Sequence, residues 1–70
     1  MKFSAHRVIT AITAIVRETS GEQLQPLDPG VIVIPTSEPD HAGMIEATCN
    51  GTQVRVFERD LEERSEEVRA

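Results

Sequence analysis

The sequence has few of the residues that small domains use to stabilise themselves. Its 70 residues include no tryptophan, no tyrosine, two phenylalanines and one cysteine, Cys49. A single cysteine excludes an intramolecular disulfide, and no apolar run approaches the roughly 18 residues that a transmembrane helix needs. The histidines and the cysteine show no spacing typical of a metal site. We therefore expect one domain over residues 1–70 with no metal, no cofactor and no membrane partner.

Positive charge is also scarce. Seven Lys and Arg residues stand against twelve Asp and Glu residues, which gives a formal net charge of -5 at pH 7. Proteins bind nucleic acids mainly through Lys and Arg side chains that neutralise phosphates, so nucleic acid is not an expected partner. The apolar stretch after Arg7 contains two threonines and is a poor secretion signal, which favours a cytoplasmic protein with a reduced thiol.

The small size predicts association with another chain. A domain near 70 residues buries roughly 60% of its unfolded surface, and its core supplies about 3–5 kcal/mol of net stability. We expect neither a disulfide nor a structural metal to add to this stability. Association is the remaining common route to stability, so we expect a homo-oligomer, and a homodimer is its simplest form.

Two segments rich in β-branched residues predict strands. Within residues 6–17, seven of the nine positions from Val8 to Val16 are β-branched, which favours a strand. A helix is the alternative, because several of these apolar residues share one helical face. Residues 31–34 lie between Gly30 and Pro35 and predict a second strand. Between these segments, the prolines and glycines of residues 18–30 predict an irregular loop that places Leu24 and Leu27 on the core.

The segment from residue 43 to residue 58 predicts a hairpin. Asn50-Gly51 is the preferred two-residue type I′ turn, because both positions need a positive φ. A two-residue loop fixes the register, so the residues opposite each other follow directly from the turn. One face then carries Ile45, Ala47, Cys49, Val54 and Val56 and is predicted to face the core. The other face is polar but ends in Met44 opposite Phe57, an apolar tip that needs a cover.

After Glu58 the chain is mostly charged. One 3₁₀ turn around Asp60-Leu61-Glu62 followed by a closing strand near residues 66–68 is the favoured interpretation, and a one-sided helix is the alternative. The charged C-terminal tail is expected to start at about residue 62.

The order of these elements resembles the Src homology 3-like small barrel. Residues 27–34 are similar to the end of its long loop and its second strand, Asn50-Gly51 to the turn between its third and fourth strands, and residues 58–62 to its 3₁₀ turn. The resemblance implies an all-β, five-stranded barrel with a long loop after the first strand. Peptide-binding members hold proline-rich ligands in grooves lined by Tyr and Trp. This chain has neither residue, so the resemblance implies no peptide-binding residue here.

Catalysis by a single chain is not expected. His41 lies beside Asp40 in a polar turn segment without a catalytic or zinc-binding pattern around it, and Cys49 is predicted to point inward as a small apolar side chain. We instead expect a non-catalytic interaction module that self-associates. The expected interface consists of the following residues: Ile32, Ile34, Met44, Phe57 and Leu61. The alternative is an acidic antitoxin or inhibitor that binds a basic protein.

Overall fold

The structure is a computed structural model that describes residues 4–68. Within this range seven strands form one antiparallel half-barrel sheet in the order β3-β2-β6-β5-β4-β1-β7. The elements are β1 His6–Val8, β2 Ile12–Glu18, β3 Gly21–Leu27, β4 Ile32–Pro35, β5 Met44–Cys49, β6 Thr52–Phe57, α1 Glu58–Arg64 and β7 Ser65–Glu67. The all-β prediction is confirmed. The predicted count of five strands is wrong, because the described chain contains seven.

The β5–β6 hairpin has the register that its turn predicts. Asn50 and Gly51 have φ values of 52° and 79°, which are the positive angles of a type I′ turn. Cys49 lies opposite Thr52, and Met44 lies opposite Phe57 at the far end. The face predicted to point inward is buried at all five of its apolar positions. The hairpin therefore fixes the centre of the sheet.

The first apolar segment is strand rather than helix, as expected, but it is divided into β1 and β2. The chain bends at residues 9–11, and the N–H groups of Ile9 and Thr10 both donate to the carbonyl oxygen of Arg64, at 2.8 and 3.0 Å. These two hydrogen bonds connect the bend to the C-terminal end of α1. The division places β1 and β2 at separate positions in the sheet, with β6, β5 and β4 between them.

The predicted loop over residues 18–30 is wrong, because most of it forms the edge strand β3. Strand β3 pairs with β2 along its whole length, from Gly21 opposite Glu18 to Leu27 opposite Ile12. Proline has no backbone N–H, and Pro26 is tolerated here because one edge of β3 has no neighbouring strand within residues 4–68 to which an N–H would donate. Between β2 and β4 only the turn at residues 19–20 and residues 28–31 lie outside the strands. At the second site Pro29 and Gly30 turn the chain, and the Val31 N–H donates to the Asp28 carbonyl at 3.2 Å.

The C-terminal segment forms an α-helix in place of the predicted 3₁₀ turn. Two ion pairs at i,i+4 spacing support the α-helical pitch, Arg59 with Glu63 at 3.1 Å and Arg64 with Asp60 at 3.7 Å. Leu61 projects into the core and is only 3% exposed. The charged segment from about residue 62 continues through the end of this helix into β7, which pairs with β1. The predicted closing strand is present, one residue earlier than expected.

The core lies on the concave side of the half-barrel and is closed at one end by α1. It contains only aliphatic side chains and the Cys49 thiol: Val8, Ile12, Ala14, Val16, Leu27, Val33, Ile45, Ala47, Cys49, Val54, Val56 and Leu61. Burial raises the pKa of the Cys49 thiol, since the thiolate would lose its hydration there. Cys49 is therefore a packing residue, as the sequence predicts.

Candidate interaction surface

The convex side of the sheet, here called the outer face, remains exposed over much of its area. Strand pairing places Leu24, Ile15 and Arg55 in one row across β3, β2 and β6, and Glu46 of β5 continues the row. Side chains alternate along a strand, so residues two positions away lie on the same face. The registers therefore determine which exposed residues are neighbours on this face.

One apolar group on the outer face, here called the hairpin patch, consists of Ile15, Leu24, Pro26 and Phe57. Leu24 is 73% exposed and lies directly opposite Ile15. Leu24 on β3 and Arg55 on β6 are the residues directly opposite Ile15. Pro26 lies two residues after Leu24, and Phe57 lies two residues after Arg55, so both are diagonal neighbours of Ile15. Phe57 is 47% exposed. The patch thus spans β3, β2 and β6 at one edge of the sheet.

A second apolar group, here called the isoleucine pair, consists of Ile32 and Ile34 on β4. They are 37% and 47% exposed. Arg7 lies opposite Ile32, and its guanidinium forms a 2.9 Å ion pair with Glu66 of β7. The isoleucine pair is therefore bordered by one charge of each sign, and these two charges already neutralise each other.

Three of the five predicted interface residues, Ile32, Ile34 and Phe57, are exposed on the outer face. The other two, Met44 and Leu61, are buried within the single chain and present no free surface. Leu61 belongs to the core. Met44 lies outside the core cluster. The polar turn segment before β5 lies next to it, and the Asp40 N–H of that segment donates a hydrogen bond to the Met44 carbonyl oxygen. Part of the cover that the apolar tip requires is thus supplied by the chain itself.

Asp40 holds this polar segment in place. Its Oδ1 accepts hydrogen bonds from the backbone N–H groups of Met44 and Ala42, at 3.0 and 2.8 Å, and its Oδ2 lies 3.3 Å from the Arg55 guanidinium. The hydrogen bonds from Met44 and Ala42 lower the pKa of the Asp40 carboxyl, and the nearby Arg55 guanidinium lowers it further. Asp40 therefore has a structural role in the polar turn segment that precedes β5.

A polar band separates the hairpin patch from the isoleucine pair. Its centre is an open hollow of about 290 Å³ lined by Arg17, Glu46, Gln53 and Arg55. Ligand pockets are usually enclosed and mostly apolar. This hollow has only charged and amide side chains, so its chemistry differs from that of a typical small-molecule site.

The arginines of the described residues are all engaged in ion pairs. Each of the five has a carboxylate within 4.0 Å, and Arg55 has two, Glu22 at 3.8 Å and Asp40 at 3.3 Å. Five acidic residues, in contrast, have no ion-pair partner in residues 4–68: Glu18, Asp28, Glu46, Glu58 and Glu62. The uncompensated charge of the described surface is therefore negative.

Within residues 4–68 the reactive side chains do not form a recognisable catalytic group. The Ser65 hydroxyl donates its proton to the Leu61 carbonyl at 2.5 Å, although its Oγ also lies 3.2 Å from the Nδ1 of His6. A nucleophilic serine instead donates to the imidazole that activates it. Among the residues the structure describes, no three His, Cys, Asp or Glu side chains are placed to hold a metal ion.

Comparison with known proteins returned no similarity: no protein family, curated protein or solved structure matches this chain. Across residues 4–68 there is no helix with the length and hydropathy needed to cross a bilayer.

Proposed function

We propose that this protein is a small non-catalytic interaction module that forms a homodimer through the isoleucine pair. The observation that carries the proposal is the exposure of Ile32 and Ile34 side by side on β4, within a chain too small for a large core. Two exposed β-branched side chains on one strand face gain hydrophobic free energy when a second copy covers them.

The charges around the isoleucine pair favour a second copy as the occupant. Arg7 and Glu66 contribute one positive and one negative charge, so two identical faces can approach without a net repulsion. In a two-fold arrangement, each arginine can also face the glutamate of the other chain. The strand edges are less suited to pairing, since β3 contains Pro26 and β7 is three residues long with Glu66 and Glu67.

The test is the mass of the purified protein, measured by light scattering across micromolar concentrations. We expect a mass of two chains that falls to one chain in Ile34→Glu. The matched control is Ile9→Glu, because Ile9 is similarly exposed, at 51%, but lies in the bend after β1. A monomeric parent protein, or equal dissociation by the two variants, would contradict the proposal. Far-UV circular dichroism of each variant checks that it remains folded.

A further inference from the structure

We propose that the hairpin patch is a docking surface for a basic, amphipathic polypeptide, separate from the surface that we assign to self-association. The apolar side chains of the patch are neighbours on the sheet, which supports a docking site. Leu24 and Ile15 form a cross-strand pair on this face, and the exposed ring of Phe57 lies diagonally from Ile15 across β6. A partner would cover all three side chains together.

Nothing in residues 4–68 competes for this surface. Strand β3 is hydrogen-bonded to β2 only, and its residues from Gly21 to Pro26 are all exposed. Gln23 and Gln25 occupy the inward side of β3, and they too are exposed. A partner can therefore reach the patch without displacing any element of the fold.

The charges near the patch identify the kind of partner. Two arginines are close to it, Arg17 and Arg55, and both are already paired with carboxylates. Three acidic residues accompany them: Glu22 and Asp40, which form ion pairs with these arginines, and Glu46, which has no ion-pair partner in residues 4–68. A second copy would bring the same excess of negative charge. A polypeptide with Lys or Arg next to apolar side chains is complementary in charge and in hydrophobicity.

The position of Pro26 indicates how the partner binds. Proline offers no N–H for a new ladder hydrogen bond, and prolines on edge strands hinder the addition of another strand. We therefore expect contacts through side chains on the outer face rather than through extension of the sheet at β3.

The probe is a synthetic peptide of about four helical turns made of leucine and lysine at amphipathic spacing, with one tryptophan. Because the protein contains no tryptophan or tyrosine, the peptide's own fluorescence reports binding without interference. Two control peptides replace either every lysine by glutamate or every leucine by serine. We expect the leucine and lysine peptide to bind and both control peptides to bind at least about tenfold more weakly.

Protein variants locate the binding site. We expect Leu24→Ser to weaken binding at least about tenfold and the matched exposed variant Ile34→Ser to change it less than about twofold. Glu46→Gln is expected to weaken binding about twofold at low salt, and the difference should fade at about 1 M salt because screening is then short-ranged. Binding that Leu24→Ser leaves unchanged, or equal binding of the serine-substituted peptide, would overturn the proposal.

Measuring the mass of the same variants separates this proposal from the proposed homodimer. If Leu24→Ser dissociates the dimer but leaves peptide binding intact, the second copy occupies the hairpin patch and the present proposal is wrong. If Ile34→Ser dissociates the dimer and still binds the peptide, the two surfaces are separate as proposed. A monomeric parent protein that binds the peptide through Leu24 would contradict only the homodimer.

Discussion

Replacing Leu61 by alanine tests whether helix α1 is part of the core. The Leu61 side chain is 3% exposed and closes one end of the half-barrel, so its truncation leaves a cavity between α1 and the sheet. Buried Leu→Ala substitutions cost about 2–5 kcal/mol. A domain of this size has only about 3–5 kcal/mol of net stability. Leu61→Ala is therefore expected to leave the chain barely folded at 25 °C.

The matched control is Leu24→Ala, the same substitution at a position that is 73% exposed. This variant should change the free energy of unfolding by less than about 0.5 kcal/mol. The assay is urea or thermal unfolding followed by far-UV circular dichroism, at one protein concentration because dimerisation makes stability concentration-dependent. Leu61→Ala should lower the melting temperature by at least about 10 °C. If both variants unfold at the same midpoint, Leu61 does not stabilise the core as described.

Three further predictions concern the turn, the Asp40 carboxyl and the thiol. Gly51→Ala should destabilise the protein by about 1–2 kcal/mol in urea unfolding, because alanine resists the φ of 79° at this position; a cost as small as that of Asn50→Gly would contradict this. The lowered pKa of Asp40 means that its contribution to stability is complete above the unfolded value of about 3.8 and is lost as the pH falls through the lower folded value. Unfolding curves between neutral and strongly acidic pH should therefore show the stability advantage of the wild type over Asp40→Asn shrinking below about pH 3.8, whereas a constant difference would exclude a titrating Asp40. The buried Cys49 thiol, whose pKa burial raises, should react slowly with a disulfide reagent until urea unfolds the chain, and rapid labelling of the native protein would show that it is accessible.

The β5–β6 hairpin could be predicted from the sequence because its short turn determines how the two strands pair. Asn50-Gly51 specifies both the turn type and its length, and a two-residue loop leaves one register for β5 and β6. Every cross-strand pair from Met44 opposite Phe57 to Cys49 opposite Thr52 then follows. The burial of Cys49 follows from the same register, because it sits on the side of the hairpin that carries Ile45 and Val54.

Strand β3 was missed because its sequence has weak strand propensity. It consists of glycine, polar residues, two leucines and Pro26, and it is a strand because β2 provides a complete partner along its length. This error also misplaced Leu24, which was expected on the core and instead lies on the outer face. The alternation of Leu24 with Gln23 and Gln25 was the available signal, and the two prolines in the segment outweighed it.

For helix α1, the sequence does not determine whether the segment forms an α-helix or a 3₁₀ turn. Arg59, Asp60, Glu63 and Arg64 have the i,i+4 spacing of helical ion pairs, but each exposed pair contributes only about 0.3–0.5 kcal/mol. The choice between an α-helix and a 3₁₀ turn depends on how Leu61 reaches the core, which involves contacts with distant strands. The grouping of Leu24 with Ile15 and Phe57 depends on strand pairing in the same way, so of the hairpin patch the sequence predicts only Phe57 as an interface residue.

The position of β1 between β4 and β7 has a consequence for how the protein is made. Arg7 and Glu66 are 59 residues apart in sequence, yet they are joined across the β1–β7 pair. Two features that hold β1 in place, strand β7 and the Arg64 carbonyl that accepts hydrogen bonds from the bend at residues 9–10, are translated after strands β2 to β6. Pairings of such long separation slow folding. Strand β1 therefore lacks its second neighbour until β7 has been made, and a chain truncated before residue 64 would leave β1 as an unpaired edge of the half-barrel sheet.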